Sequence, residues 1–347
     1  MEKNVIIVGA GPSGLSAALN LIKRGVNDIL VIEKSVFPRY KCCAGYVTEK
    51  TGREYNKLGL DISKCRYSLI RDFNIVYKFK RRLNITNKFL YTNAKIDRVE
   101  LDNAFFETAK AAGAEILENT KITAHAPEKN EVTLSDGQTL KYGSLIFADG
   151  AVGYGSRYQR GQKKNIAMQL TFPCDKEEQI SIHFGVTRRG YGWMSAYGGT
   201  ANVGLTDVFD PEKDYGKTFA EFLSKLGADA DASGLKGAFT PIGVGKAVIF
   251  SNVYFVGDAV GACDPLTLSG LRYGLASGEF CARAIAEKKP TIYNRYIKKL
   301  KRRFNFMRFM QKVFYLKGTS FFVFNVLCRM FGGLVSAVFN RFFVNKK

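Results

Sequence analysis

The sequence predicts an α/β protein: a Rossmann-like dinucleotide-binding half, a β-sheet half interleaved with it, and a helical tail. Three observations predict it. The chain opens on an apolar run, Val5–Val8, that ends in a glycine-rich turn. Stretches rich in β-branched and aromatic residues recur between residues 61 and 249. Beyond residue 290 the pattern changes to apolar residues at helical spacing among Lys and Arg. A length of 347 residues with 46% hydrophobic content suits two interleaved domains around a large core and argues against disorder.

The first unit, "NVIIVGAGPSGLSAALNLIKRGVNDILVIEK", reads as strand, turn, helix, strand. A continuous apolar run is the mark of a parallel strand buried on both faces. Gly9, Gly11 and Gly14, with Pro12 and Ser13 between them, form G-x-G-x-x-G at its end. The first glycine permits the turn, the second lets backbone approach a pyrophosphate, and the third lets helix pack on strand. The helix N-terminus then presents free N–H groups and a positive dipole end. Glu33, followed by Lys34, ends the second strand nineteen residues after Gly14. A carboxylate there accepts hydrogen bonds from ribose hydroxyls and disfavours a 2′-phosphate.

Two later segments decide which dinucleotide binds. "YGSLIFADGAVGYGSR" is a strand ending in Asp149-Gly150, and "NVYFVGDAVGACDPLTLSGLRYG" is a strand ending in Gly257-Asp258. The second Gly-Asp pair suits a dinucleotide stretched across the sheet, its carboxylate reaching ribitol hydroxyls. Gly270 and Leu271 start another helix, whose N-terminus can stabilise negative charge on a reduced flavin ring. An NAD dehydrogenase does not need these segments, so the cofactor is expected to be FAD.

In this order the three motifs resemble the flavoprotein monooxygenase superfamily of the p-hydroxybenzoate hydroxylase fold. "KIDRVELDNAFF" resembles that superfamily's Arg-led helix, with Arg98 in the leading place. Within it, the chain is similar to the geranylgeranyl reductases. Arg39, Lys41, Cys43, Ala44 and Gly45 follow their Arg-x-Lys-x-Cys-Gly-Gly loop, with Ala44 in place of the first glycine. Tyr191, Trp193, Asn202, Val203 and Gly204 follow their Tyr-x-Trp segment and Asn-Val-Gly strand, with Met194-Ser195 in place of Phe-Pro. The resemblance implies that Arg39 contacts FAD, that Cys43 lies near the flavin ring as the catalytic candidate, and that Tyr191 and Trp193 wall an apolar substrate pocket. It also implies reduction of C=C bonds in a prenyl chain or prenylated lipid. The alternative is a flavin-dependent monooxygenase hydroxylating an apolar or aromatic substrate. With one dinucleotide fingerprint, the electron donor, NAD(P)H or ferredoxin, is expected to act transiently.

The expected FAD-binding domain comprises residues 1–60, 97–156 and 250–290. The substrate domain comprises 61–96 and 157–249, with "YSLIRDFNIVYKFKRR", "KFLYTN", "NIAMQLTF", "QISIHFG", "GYGWMSAYG" and "TANVGL" as strands of a mixed or antiparallel sheet. His183 alternates with Ile182 and Phe184, so it faces away from them, either onto the cavity or as an ordinary sheet histidine. Cys42 and Cys43 stand side by side beside Arg39 and Lys41, which either lower the pKa of one thiol or merely flank two packed residues. Seven cysteines without CxxC or a secretory pattern read as free thiols in a cytoplasmic protein. The chain enters a strand at once, which leaves no room for a targeting segment. With only His125 and His183 as histidines, no metal is expected.

From Lys288 to Lys347 there are fifteen Lys/Arg and no Asp or Glu, so the first 287 residues carry +6 of the net +21. "YIKKLKRRFNFMRFMQKVFYL" places Tyr296, Ile297, Leu300, Phe304, Met307, Met310 and Phe314 at helical spacing, and residues 291–347 read as a basic amphipathic tail. It would cap the cavity and meet an anionic membrane at the inner face. Nucleic-acid binding lacks any motif and is not expected. From the third motif it follows that Asp258→Ala removes hydrogen bonds to a charged acceptor and weakens FAD by about 1.5–3 kcal/mol. Flavin titration of the refolded apoprotein checks it, and an unchanged affinity refutes the assignment.

Overall fold

The opening apolar run becomes the strand Glu2–Val8, whose last four residues are all buried. A computed structural model of the protein describes residues 2–70, 72–86, 94–175, 179–228, 231–247 and 251–315. Six α-helices occur among them: α1 (Pro12–Ile22), α2 (Glu49–Lys57), α3 (Arg98–Ala111), α4 (Tyr215–Lys225), α5 (Leu271–Ala286) and α6 (Pro290–Phe314).

Glu2–Val8 lies at the centre of a seven-stranded sheet. It pairs in parallel with Ile29–Ile32 on one side and Thr139–Phe147 on the other. Glu115–Leu117 and Val253–Phe255 extend the parallel part, and the hairpin Ile122–Ala126/Glu131–Leu134 adds an antiparallel flank. Helices α1, α3 and α5 cover one side of this sheet, where Leu15, Phe105, Phe106 and Leu275 join its core. The glycines hold α1 close. A Cβ on Gly14 would lie 2.0 Å from the Gly9 carbonyl oxygen, and one on Gly278 of α5 would lie 2.5 Å from that of Ser13. Ser16 donates to the Leu275 carbonyl at 2.8 Å across the same contact.

A second seven-stranded sheet runs in the order Lys236–Pro241, Lys164–Pro173, Thr200–Val208, Tyr191–Tyr197, Gln179–Phe184, Asp72–Tyr77, Arg81–Thr86. Only the pair Gln179–Phe184/Asp72–Tyr77 is parallel. The strands expected in "NIAMQLTF", "QISIHFG", "GYGWMSAYG" and "TANVGL" are all present, while "KFLYTN" lies outside the described residues. Alternation gives this sheet two unlike faces. Met168, Leu170, Met194, Val203 and Leu205 point outward and bury themselves against Phe219, Phe222 and Leu223 of α4. Tyr191, Trp193 and Ser195, with their cross-strand partners Asn202, Gly204 and Gln169, point inward toward the nucleotide-binding half.

The amphipathic pattern of the tail forms a helix as far as Phe314, with its apolar side turned to the protein itself. Helix α6 is a wall of the core. Tyr293, Leu300, Phe304 and Met307 are buried, Tyr296 stacks on Phe280 at 4.4 Å, and Phe304 meets Tyr273 edge-on at 5.0 Å. Most of the apolar stripe is therefore already occupied by the protein itself. The end of α6 reaches the second sheet: Arg308 donates to the Ile242 carbonyl, Gln311 to Arg189 at 3.4 Å, and Tyr315 to Gly190 at 2.8 Å. Residues 316–347 lie outside the described residues. Among the described residues no helix is long and apolar enough to cross a membrane. The packing predicts that Phe304→Ala, at a fully buried position, costs about 3–5 kcal/mol. Phe306→Ala, at a position 51% exposed, changes stability by no more than about 0.5 kcal/mol. Denaturant unfolding of the two variants checks the contrast.

Candidate active site

The end of the first strand and the start of α1 make the first wall. Gly9 has φ +105, and a Cβ there would lie 2.6 Å from the Ala148 carbonyl oxygen. Gly11 is the N-cap of α1, without a side-chain cap, and Pro12 opens the helix. The first-turn N–H groups therefore have no partner within the helix and face outward over the turn. Ser13 is buried against Gly257, where a Cβ would come within 2.3 Å of its hydroxyl oxygen. These contacts bring bare backbone to the start of the helix, where no side chain stands between it and an approaching group.

Glu33 is buried, and its two oxygens accept from the N–H groups of Ala10 at 2.8 Å and Ser35 at 3.0 Å. It thus braces the glycine turn, while Lys34 is exposed. Arg39 joins Glu33 at 3.9 Å to Asp102 at 3.8 Å. Its guanidinium lies over the Phe37 ring at 4.7 Å, and its buried Nε, the atom that faces Glu33, has no hydrogen bond. Arg98, the first residue of α3, is buried in a two-pronged ion pair with Asp102, Nε to Oδ1 at 2.9 Å and a second nitrogen to Oδ2 at 3.0 Å. Its guanidinium is spent on holding Asp102, which in turn faces Arg39. Asp102 had no sequence signal beyond its i+4 spacing from Arg98.

Asp149 folds back on its own turn. Its Oδ2 accepts from Gly155 N–H at 2.8 Å, and a Cβ on Gly153 would lie 2.3 Å from its carboxyl carbon. Gly150 has φ +83. The Asp149 Oδ1 atom is buried without a partner. Burial pushes this carboxyl up to about 6, against the pull of the Gly155 N–H. Asp258 stands across the site beside Gly270, the uncapped N-cap of α5, whose Cβ would lie 3.4 Å from its Oδ1. Burial raises the Asp258 carboxyl, and Lys41 and Arg98 counter it. Leu271 is half-buried at the first turn of the helix.

The loop 39–47 lies between the two sheets. Gly45 has φ +79, and a Cβ there would meet the Ile96 carbonyl oxygen at 2.3 Å. The Cys43 sulfur accepts from Gly45 N–H at 3.5 Å, and Ala44 is half-buried between them. All six described cysteines are free. Cys42 does not become acidic. Burial, then the neighbouring Cys43, push its thiol up to about 11, and the opposing charge of Lys41 is too weak to reverse that. Its sulfur rests instead 3.9 Å from the Lys236 carbonyl oxygen and 4.0 Å from that of Ala167.

Tyr191 and Trp193 do meet, at 6.3 Å edge to face. Tyr191 donates to the Thr267 carbonyl at 3.0 Å. Trp193 donates from Nε1 to Asn202 at 2.8 Å, and its ring occupies the place of the side chain that Gly204 lacks, 2.1 Å from where a Cβ would stand. Two residues not singled out in the sequence join them. Tyr46 is one step beyond the loop glycine. Ser195 continues the alternation of Tyr191 and Trp193, so it could have been read. Their hydroxyls lie beside each other, buried and away from any other partner, and burial raises Tyr46 above the usual phenol range against the pull of Ser195. Further along the same inward face Gln169 Oε1, Thr240 Oγ1 and both amide atoms of Asn165 also lack partners.

His183 does not join this group. It pairs with Gly192, whose missing side chain faces Phe222, so it points to the α4 side of the sheet. There it sits 5.4 Å from both Phe79 and Phe222 and shares a hydrogen bond of 2.8 Å with Ser181. Burial, with Arg82 nearby, lowers its pKa to about 4, which keeps it neutral. The alternation was right, and the side assigned to the cavity was not: Ile180 and Ile182 take it. Among the described residues no group of three or more His, Cys, Asp or Glu could hold a metal.

An FAD fits this arrangement. The glycine turn admits no side chain between backbone segments, and Arg39 Nε and Asp149 Oδ1 are buried polar atoms without hydrogen bonds. The comparisons agree. The sequence model of a family described as FAD binding domain matches residues 2–151. The chain is 26% identical to a menaquinone reductase of Mycolicibacterium smegmatis, over 84% of this chain and 78% of that one. It is 24% identical to digeranylgeranylglycerophospholipid reductase 1 of Methanosphaera stadtmanae, over 83% and 77%. In structure it is similar to a geranylgeranyl bacteriochlorophyll reductase-like protein of Thermoplasma acidophilum, with TM-score 0.74 and 17% identity over 91% of this chain and 88% of that one. A probable FAD-dependent monooxygenase of Pseudomonas aeruginosa has the same fold, with TM-score 0.70 and 18% identity over 92% and 98%.

The buried carboxyl of Asp149 makes a pH prediction. Its folded pKa of about 6 exceeds the ordinary 3.8, so its contribution is full below 3.8 and is lost as pH rises through about 6. Asp149→Asn keeps the acceptor for Gly155 and removes the titration. Thermal unfolding followed across that window should show the variant gaining on the parent as pH rises, and parallel curves would contradict it.

Proposed function

We propose that this chain, a geranylgeranyl reductase-like flavoprotein of the p-hydroxybenzoate hydroxylase fold with FAD as its cofactor, reduces C=C bonds of a prenyl chain or prenylated lipid. The observation that carries the reading is the inward face of the second sheet's central strands. Ile180, Ile182, Phe184, Tyr191, Trp193, Ser195, Asn202, Gly204 and Thr206 bear no charge, and Tyr46 closes against them from the loop. Such a wall suits an apolar chain and offers nothing to orient a charged substrate. The related reductases named above act, by their names, on a quinone and on a digeranylgeranyl lipid.

In this reading Gly9–Gly14, Glu33, Arg39, Asp149, Gly150, Asp258, Gly270 and Leu271 hold FAD, which when reduced supplies hydride, and Arg98 acts through Asp102, which it holds toward Arg39. The chain's own part is to orient and to exclude water. Trp193 is fixed by Asn202 and Gly204, and Tyr191 by Thr267, so the alkene meets a wall whose rotamers are already chosen. Tyr46, kept protonated by burial, holds a proton at Oη, and Cys43 on the same loop orients the chain. NAD(P)H or ferredoxin supplies the electrons transiently. The hydroxylase alternative draws on the unpartnered atoms of Asn165, Gln169 and Thr240, which suit a ring with polar substituents.

Anaerobic photoreduction of the bound flavin, mixing with prenyl lipids and mass spectrometry of the product separate the two. A product heavier by a pair of hydrogen atoms supports reduction. Reoxidation only on admitting O₂, with a product heavier by an oxygen atom, overturns it. Trp193→Ala should keep its flavin and lose about tenfold in kcat/KM, equivalent to about 1.4 kcal/mol.

A further inference from the structure

Helix α6 has two faces of opposite character. The inner one belongs to the core. On the outer one Arg295, Lys299, Arg302, Phe306 and Phe309 follow at intervals of four, three, four and three residues, the spacing that keeps side chains on one side of a helix. All five are exposed, the two phenylalanines by 51% and 59%. The 25 residues of α6 contain no Asp or Glu. Cations thus occupy the first turns of the stripe and aromatics the last. Arg303, round the side of the helix, lies 5.8 Å over the Tyr273 ring. Burial and the charges of Arg272, Arg53 and Arg303 push the Lys50 ammonium below its usual range, which sets cations of α2, α5 and α6 side by side.

We infer that the outer stripe of α6 is a docking face for an anionic lipid bilayer, with Arg295, Lys299 and Arg302 at the headgroups and Phe306 and Phe309 below them. Exposed phenylalanines gain by leaving water for the acyl boundary, and cations gain from anionic headgroups. An acidic protein would satisfy the cations alone. The aromatic end is also the end tied to Arg189 and Gly190, next to Tyr191. Docking there brings the lipid to the end of α6 that stands beside the strand carrying Tyr191 and Trp193. The inference rests on the prenyl-lipid reading for its purpose but not for its test.

The test uses the full chain and sedimentation with vesicles. Phosphatidylglycerol vesicles should carry the protein down at low salt, with binding falling as salt rises over the Debye range. Phosphatidylcholine vesicles should leave it in solution. The double variant Lys299→Glu, Arg302→Glu should weaken binding at least about tenfold. Phe306→Ser with Phe309→Ser should weaken it while leaving the salt dependence in place. Both variants should reduce detergent-dispersed substrate as the parent does, since neither touches the cavity. A parent that ignores phosphatidylglycerol, binds both vesicles alike, or leaves them for an acidic protein or nucleic-acid competitor overturns the inference. So does a charge-reversed variant that binds like the parent, which would move any contact to residues 316–347. Vesicle binding without any C=C reduction would sink the functional reading and leave the docking face standing.

Discussion

Helices α1 and α5 approach until backbone meets backbone. Gly278 lies where any side chain would strike Ser13 and Ala17, Gly257 where one would strike the Ser13 hydroxyl, and Ser16 ties across to Leu275. This contact joins residues 259 positions apart, and it sets the spacing of the two helix N-termini that the proposed reading gives to the cofactor. α1 presents its first turn at the glycine loop, and α5 presents its own beside Asp258. A wider spacing would separate the glycine turn from Asp258 and the start of α5. The chain therefore spends its smallest residues here, where each removed side chain brings a polar backbone group nearer to the ligand.

The parts legible in the sequence were those with local rules. Gly9, Gly11 and Gly14 announce a turn, and the strands of the second sheet announce themselves by alternation. Tyr191 and Trp193 could be placed on one face from their spacing alone. What alternation cannot supply is which face meets which neighbour. His183 was offered to the cavity, and α4 sits on its side instead, because Phe222 fills the gap left by Gly192. The same limit hid Asp102, whose role depends on Arg39 arriving from a distant loop. It hid the inner face of α6 too. An amphipathic basic helix has the same pattern whether its apolar side is met by lipid or by Tyr273 and Phe280.

The second sheet shows how one layer serves two tasks. Outward, its residues interlock with α4 as ordinary core, and the one buried histidine there is kept neutral by its surroundings. Inward, the same strands carry unpaired polar atoms at Ser195, Gln169 and Asn165, a composition that would weaken a core. That side is therefore built for company. Between them the loop 39–47 is pinned by Gly45 against Ile96 and by Tyr40, whose hydroxyl accepts from Gln169 at 2.8 Å.

Helix α6 begins on the nucleotide-binding half, where Tyr293 donates to the Phe255 carbonyl, and ends on the other, where Arg308, Gln311 and Tyr315 donate to Ile242, Arg189 and Gly190. A helix fastened at both ends is a strut. Swinging the halves apart like a clamshell would require three fastenings at the far end to release together. Side-chain rotation and shifts of short loops need none of those fastenings to break, so they leave the spacing of the two halves as it is.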